Sequence, residues 1–425
     1  MKPCPSPKRL LLFFLTCLWW FPTAAQAAPP GGTVDSLLDY AREHNPEYVA
    51  VRFDAEAAGD RVTPAGALPD PSLRVELENI TNAGSDARPN LLPGRVGDTK
   101  YTLLQPLPFW GKRDLKRQAA EADADQARGK ATTTWSDLAA RIKEAYAQYY
   151  FVAANDKLSR ENLDLMRRLE QVAQVRYAGA LAPQQDVIRA QVEETGLSGE
   201  LIAIDGEKRQ LQAQINALIS RNALAPLAEP QSLRPLPAPA KLDYASLAQR
   251  LRAHNPQLFT EEAGIRSAQK NRDLVYRNRY PDFLLGVVPM QTGSQISSWG
   301  LMLEMNIPLQ QASRRSQERE AEAMLAAARA RKEATANRVL SELSENLAGI
   351  EAARHTETLI ETGLLPQAGL SFQAALAGYE NGKLDFATLL DAQRQIRLAR
   401  LSAIKAQTQA QARLAEIEKL LGEDL

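Results

Sequence analysis

Three histidines, His44, His254 and His355, are the only imidazoles in the 425-residue chain, and its two cysteines are Cys4 and Cys17. A zinc or copper site needs imidazole or thiolate ligands at short fixed spacings, such as His-x₃-His on one helix face or Cys-x-x-Cys. No such spacing occurs. His44 and His254 each precede Asn-Pro and read as helix-end residues. Met302 and Met305 are three apart in an alternating segment, so they point to opposite faces of a strand and cannot chelate together. There is no glycine-rich phosphate loop, no nucleophile elbow and no Ser/His/Asp set placed by motif. Neither catalysis nor a cofactor is expected. The function must therefore follow from how the chain is built.

Charge is balanced, with 51 basic and 51 acidic residues, which argues against a nucleic-acid partner. Apolar residues make up 44% of the chain but aromatics only 6%, and alanine is abundant, a composition suited to long helices packed closely together. Residues 1–27 read as a signal peptide. Lys2, Lys8 and Arg9 form a basic start, Leu10–Phe21 an apolar run too short to span a bilayer, and Ala25-Gln26-Ala27 a small-x-small cleavage site. Cleavage is placed after Ala27, with Ala24 and Ala25 as rivals. Lipidation at Cys17 is disfavoured, because Thr16 precedes it and the apolar run continues beyond it. Removing the leader takes both cysteines and leaves 48 basic against 51 acidic residues, so the exported chain holds together by packing alone. No later segment reaches 18 consecutive apolar residues, so any entry into a membrane must be made by β-strands.

The chain is one unit written twice. Leu38-x-x-Ala41-x-x-His44-Asn45-Pro46 returns as Ala248-x-x-Leu251-x-x-His254-Asn255-Pro256, an offset of 210. Pro69-Asp70 returns as Pro281-Asp282, and Leu107-Pro108 as Ile307-Pro308. Ala190-Gln191 matches Ala392-Gln393, and Leu218-Ile219 matches Leu420-Leu421, both at an offset of 202. The expected division is a first repeat over 28–222 with a hairpin at about 71–107, a proline-rich linker over 223–241, and a second repeat over 242–425 with a hairpin at about 281–308. Pro226, Pro230, Pro235, Pro237 and Pro239 forbid a helix in the linker and predict an extended segment.

Each repeat predicts a helix, a β-hairpin, a very long helix, a tight turn and a returning helix. Leu73, Val75 and Leu77 alternate with Arg74, Glu76 and Glu78. Trp299, Leu301, Leu303, Met305 and Ile307 alternate with Ser298, Gly300, Met302, Glu304 and Asn306. This period of two gives strands with one apolar and one polar face. Two further strands are expected at about Thr99–Gln105 and Phe283–Pro289, with an exposed loop over Thr81–Gly97. The first long helix, from Gly111 to about Arg176, spans on the order of 100 Å. Its seam Ala131, Trp135, Leu138, Ile142, Ala145, Tyr149, Val152 is spaced 4-3-4-3-4-3. Phe151, Leu158, Leu165 and Val172 form a second seam, and Leu389, Ile396, Ala403, Ala410 and Ile417 repeat every seven residues in the last helix. Small residues at such seams permit close approach of helices, and seams on two faces suit a helix with two neighbours, as in a tube wall.

Four strands cannot close a barrel, and an open sheet edge is not tolerated in lipid. Eight strands from two copies would give a barrel filled by side chains, whereas twelve from three copies leave an aqueous lumen. A cyclic homotrimer is therefore expected, with Glu76, Glu78 and Glu304 lining that lumen.

Pro69-Asp70-Pro71-Ser72-Leu73 and Gln105-Pro106-Leu107-Pro108-Phe109-Trp110-Gly111-Lys112-Arg113, together with the duplication and the order of segments, resemble the TolC-type outer-membrane efflux proteins. His44-Asn45-Pro46-Glu47, the run Pro69–Asn79 and Gly111-Lys112-Arg113 are most similar to the CzcC-like branch, which serves heavy-metal efflux pumps. The resemblance covers essentially the whole exported chain. It implies a mainly α protein with a membrane β part. Long antiparallel coiled-coil helices would form a periplasmic α-barrel, and the four strands would contribute to a 12-stranded trimeric β-barrel. It implies the outer membrane of a Gram-negative bacterium as location, with a large periplasmic part. The partners it implies are outer-membrane lipid, a periplasmic adaptor and an inner-membrane RND-type pump, with heavy-metal cations as cargo. A duct for drugs or other small organics is the alternative. A periplasmic coiled-coil adaptor is a further one, disfavoured because adaptors carry one hairpin rather than two flanking amphipathic strands.

The resemblance also assigns roles to the helix–turn–helix tips, Arg176-Tyr177-Ala178-Gly179-Ala180-Leu181 and Tyr379-Glu380-Asn381-Gly382-Lys383-Leu384. Gly179 and Gly382 are expected to permit the reversals. Arg176, Tyr177, Gly179, Tyr379 and Gly382 become candidates for adaptor docking. Asp186 and Asp391, with Gln185 and Asp385, become candidates for a tunnel constriction, where three-fold symmetry would turn each carboxylate into a cation-attracting ring. A further acidic position of the family is Thr388 here. Arg189 and Arg394 stand close enough in sequence to pair with these carboxylates.

Overall fold

A computed structural model of the chain describes residues 29–81, 91–93 and 95–425. The expected signal peptide with Cys4 and Cys17, and most of the Thr81–Gly97 loop, lie outside the described residues. The first repeat opens with α1 (Val34–His44), α2 (Pro46–Asp60) and the short α3 (Val62–Gly66), where one helix was expected. The break has a local cause. A residue preceding proline is pushed out of the helical region, and Asn45 takes φ −75°, ψ 117°. Pro46 then starts α2 at the position where a missing N–H costs nothing. The second repeat repeats the device in α6 (Tyr244–His254) and α7 (Pro256–Arg277), with Asn255 between them.

Each asparagine does two jobs. Asn45 Oδ1 accepts from the Tyr48 N–H at 3.1 Å, and its Nδ2 donates to the carbonyl of Leu218 at 2.8 Å. Asn255 Oδ1 accepts from the Leu258 N–H at 2.8 Å, and its Nδ2 donates to the carbonyl of Leu420 at 2.7 Å. One buried side chain thus caps the helix that begins and satisfies an orphan carbonyl of the helix that ends.

From the hairpin β1 (Ser72–Glu78) and β2 (Asp98–Leu107), Gly111 at φ 83° turns the chain into α4 (Lys112–Ala178), a helix of 67 residues that returns as α5 (Gln184–Leu218). The second hairpin, β3 (Phe283–Thr292) and β4 (Gln295–Met305), leads into α8 (Gln311–Leu359). A π-turn at Ile360–Leu364 passes α8 on to α9 (Leu365–Glu380), and α10 (Phe386–Leu421) runs back. The expected seam on α4 is buried: Leu138, Ile142, Tyr149 and Val152 pack with Leu37 of α1 and with Ile204 and Ile215 of α5. Leu251, Val339, Leu343, Leu414 and Ile417 form the equivalent core of the second repeat. Nearer the turns the two repeats share one core, in which Met166, Leu169 and Ala173 of α4 meet Tyr379, Phe386 and Leu389.

The linker between repeats is extended, as the prolines require, and it is tied down along its length. Ala228 and Gln231 N–H groups donate to the carbonyls of Pro30 and Gly32, both at 3.1 Å. Tyr146 of α4 donates its hydroxyl toward the carbonyl of Ser232 at 3.0 Å. Arg234 reaches the buried Glu418 at 2.7 Å, which also holds the buried Lys143 ammonium at 2.7 Å.

Candidate functional site

Two regions carry the candidate residues, and they lie at opposite ends of α4. At its start the two hairpins merge into one antiparallel sheet of order β1-β2-β3-β4, with β2 of the first repeat hydrogen-bonded to β3 of the second from Thr99↔Gln291 to Leu107↔Phe283. Residues directly opposite in an antiparallel pair share a face. The register Glu76↔Lys100↔Met290↔Ser298 and Leu284↔Glu304 therefore places Glu76, Glu78 and Glu304 on one face with Arg74, Asp98, Lys100 and Thr102. Lys100 stands 3.9 Å from Glu76 and 3.8 Å from Glu78, and Arg74 stands 3.8 Å from Glu76. The two cations on this face were not singled out from the sequence. Their position is fixed by cross-strand register, which no single strand reveals.

The opposite face is apolar and exposed. Leu73, Val75, Leu103, Val287, Leu301 and Leu303 are all uncovered, and Trp299 is 69% exposed. Among the described residues β1 and β4 both end the sheet with unpaired edges. β4 stops at Met305, short of the expected Ile307, since Pro308 ends the alternation. The Pro281-Asp282 and Gly111-Lys112 motifs meet at the base of the sheet. Asp282 accepts from the buried Lys112 ammonium and from the Phe109 N–H, both at 2.8 Å, and Lys112 also donates to the carbonyl of Tyr280 at 2.9 Å. Burial pushes the Asp282 carboxyl upward, but these donors outweigh it and hold it below the usual range. These motifs thus build the strand-to-helix junction. Among the described residues no group of three or more His, Cys, Asp or Glu side chains could hold a metal ion.

At the far end of α4 both reversals close with the same hydrogen-bond pattern. Leu181 N–H donates to the carbonyl of Arg176 and Ala180 N–H to that of Tyr177, at 2.8 and 3.0 Å. Lys383 N–H donates to the carbonyl of Gly378 and Gly382 N–H to that of Tyr379, again at 2.8 and 3.0 Å. Each is a Schellman motif, in which the residue after the C-cap must turn left-handed. In the second tip Gly382 does so at φ 68°, as expected. In the first tip the left-handed residue is Ala180 at φ 55°, while Gly179 has φ −83°. The glycine sits one position early, and alanine takes up the strain.

The two tips are joined. Tyr379, 2% exposed, directs its hydroxyl to the Asp186 carboxylate at 3.3 Å. The Arg176 guanidinium lies over the Tyr379 ring at 5.0 Å, donates to the carbonyl of Glu380, and reaches the carbonyl of Leu181 at 3.2 Å. Burial, then the neighbouring Asp186 charge, pushes the Tyr379 hydroxyl up to about 12. Asp186 itself is only 6% exposed. Asp391, by contrast, has a 70% exposed side chain and lies 3.8 Å from Arg394. At the repeat offset of 202, Asp186 corresponds to Thr388 and Asp391 to Arg189, so the two carboxylates are not equivalent and do not share a surrounding. Asp385 caps α10, accepting from the Thr388 hydroxyl at 2.5 Å and N–H at 2.9 Å, which hold its carboxyl low. Gln185 and Tyr177 are exposed. Arg394 makes its main pair with Glu193, at 2.5 Å, and Arg397 pairs with Glu200 at 2.5 Å. These α5–α10 links were missed in the sequence. The only local sign was the seven-residue spacing of Glu193 and Glu200 on one helix face.

A sheet with one exposed apolar face, carried on helices as long as 67 residues, has the form of a membrane-embedded strand region on a helical body. The chain belongs to the outer membrane efflux protein family, whose model matches residues 37–221 and 247–423. It is 24% identical over 398 residues to the cobalt-zinc-cadmium resistance protein CzcC of Cupriavidus metallidurans, covering 92% of this chain and 90% of that one. Its fold is similar to that of the outer membrane protein VceC of Vibrio cholerae, with a TM-score of 0.77 at 18% identity over 92% of this chain and 96% of that one. It is also similar to the open-state MtrE channel of Neisseria gonorrhoeae, with a TM-score of 0.72 at 15% identity over 92% and 89%. The resemblance read from the residues, to TolC-type proteins of the CzcC-like branch, holds. The family is one of outer membrane efflux proteins, and the fold is shared with a solved outer-membrane channel.

Proposed function

We propose that three copies of this chain form the outer-membrane exit duct of a tripartite efflux system, passively conducting heavy-metal cations from the periplasm to the exterior. The observation that carries the reading is the four-stranded sheet with an exposed apolar face and two unpaired edges. In lipid such edges must pair, and three copies give twelve strands around an aqueous lumen. The face carrying Glu76, Glu78, Glu304, Asp98, Lys100 and Arg74 then lines the lumen, with two more carboxylates than cations per copy. The helical body extends into the periplasm. The tips, with exposed Tyr177, Gly179 and Gly382, meet a periplasmic adaptor coupled to an inner-membrane RND-type pump.

Within the tips Asp186 and Asp391 take different roles. Asp391, exposed, forms with its symmetry mates a ring that attracts cations, with Asp385 beside it. Asp186, buried, accepts the Tyr379 hydroxyl and so ties the first tip to the second. Metal cargo is favoured over drugs by the likeness to a cobalt-zinc-cadmium resistance protein. The test is a deletion strain challenged with cobalt, zinc and cadmium salts and with a panel of organic drugs. Sensitivity to the metals, restored by the wild-type gene, is expected. Sensitivity confined to the drugs would overturn the cargo, and absence of the protein from outer-membrane fractions would overturn the duct.

A further inference from the structure

At the base of the sheet, where the apolar face meets the helices, lies a cleft of about 620 Å³. That volume falls within the roughly 300–1,000 Å³ of small-molecule sites. Its floor is the apolar face itself: Leu107 of β2, Phe283 and Leu285 of β3, and Leu303 of β4. Three strands of one chain and the start of α4 line the cleft. Its rim is polar and cationic. Arg113 is half-buried there, with Nε and Nη2 donating to the carbonyl of Gly66 at 3.1 and 2.9 Å. Among the described residues no carboxylate pairs with Arg113. The adjacent Asp114 is taken by Arg117 at 2.6 Å and Gln118 at 2.5 Å. Trp110, 74% exposed, stands at the mouth. Its ring is held edge-on to Phe109 at 5.3 Å and to Phe283 at 6.1 Å, while Phe109 stacks on Tyr280 at 4.5 Å.

We infer that this cleft binds a phospholipid of the inner leaflet of the outer membrane. The inference rests on the reading that the apolar face meets lipid. One acyl chain lies over Leu285 and Leu303, continuous with the lipid-facing strands. The phosphodiester sits against the guanidinium of Arg113, which has no carboxylate partner among the described residues, and accepts from the indole N–H of Trp110. Tryptophan with one apolar side and one donor suits the headgroup level, and a guanidinium binds phosphate through paired N–H groups. The amphipathic order of the cleft, apolar along the strands and cationic at the helix, matches a lipid molecule rather than a free anion.

The test is native mass spectrometry of the full-length assembly in detergent, titrated with palmitoyl-oleoyl phosphatidylglycerol. One tightly retained lipid per chain is expected for wild type. Arg113→Gln should weaken retention about tenfold, the loss of one charge-assisted contact, and Arg113→Lys, which keeps the charge but not the paired N–H groups, by less than that. Trp110→Ala, at an exposed site that does not threaten folding, should weaken it as well, and carries the test should Arg113→Gln fail to assemble. Equal retention by wild type and Trp110→Ala, or equal binding of glycerol phosphate without acyl chains, would overturn the inference. Outer-membrane fractionation is done on the same strains. Absence from that membrane defeats the underlying reading, whereas a correctly located protein that retains no lipid defeats only the site.

Discussion

At the root of the helices the two repeats are near copies of each other; at the tips they are not. Asn45 and Asn255 make the same pair of bonds, to the start of one helix and to the end of another, with lengths that agree within 0.3 Å. Each repeat also has its own apolar core there. At the tips a single core is shared, and the contacts across it are one-sided: Arg176 and Asp186 come from the first repeat, Tyr379 and Phe386 from the second. A constraint satisfied inside one repeat can be kept in both. A constraint satisfied between repeats needs two different surfaces, so the copies must diverge where they touch. The grip on the linker shows the same divergence. Position 216 and its equivalent 418 both hold the linker, but Asn216 does so with an amide on the carbonyl of Ala225 at 2.8 Å, and Glu418 with a carboxylate on Arg234 and Lys143.

This contrast is sharpest at Glu418. Glu418→Ala leaves the buried Lys143 ammonium with one remaining carboxylate, Asp424, and should lower stability by about 3–5 kcal/mol, read as a fall in the thermal midpoint of the detergent-solubilised protein. The equivalent Asn216→Ala removes only amide bonds and should cost clearly less. If the two are equal, the repeats do not hold the linker differently. Asn45→Ala and Asn255→Ala should each cost about 2–3 kcal/mol, since a cap is lost and a carbonyl is left bare, and the two values should match. A large inequality would break the symmetry claimed for the root. Tyr379→Phe removes a bond to a charged acceptor at 3.3 Å and should cost about 1.5 kcal/mol, while raising conductance in a planar bilayer. Its pH dependence has a fixed sign. The Tyr379 hydroxyl is raised in the folded protein from 10.0 to about 12, so its contribution is complete below pH 10 and is lost as pH rises toward 12. The part of the late-titrating tyrosinate absorbance that Tyr379→Phe removes would show it, since Tyr146 and Tyr276 are raised as well. The smallest effect is at the reversals. Ala180→Gly should stabilise by about 1 kcal/mol and Gly382→Ala destabilise by a similar amount, because the first removes a side chain from the left-handed region and the second places one there.

Much of the architecture was legible because it is periodic. The alternation of Leu73, Val75 and Leu77 gave a strand, and the 4-3 spacing from Ala131 to Val152 gave a buried seam on one long helix. The Asn-Pro repeats marked helix ends at His44 and His254, yet the further helices that begin at Pro46 and Pro256 were not read. The second bond of each asparagine, to Leu218 or Leu420, joins segments more than 160 residues apart, and no local pattern carries it. The same holds for the tips. Asp186 and Asp391 look alike in sequence, two acids early in a returning helix. What separates them is the Tyr379 hydroxyl that arrives from the other repeat and buries one of them. The strain at Ala180 was hidden because a glycine stood next to it and invited the simpler assignment. Strand lengths were read short for β2 and β3, since Pro106 and Pro289 look like terminators where the ladder in fact continues past them.

The central claim is that the sheet is an open third of a barrel. Light scattering of the detergent-solubilised protein, corrected for bound detergent, tests it most directly. Three chains per particle are predicted, because twelve strands close both edges around a lumen. A stable particle of one or two chains would contradict the duct.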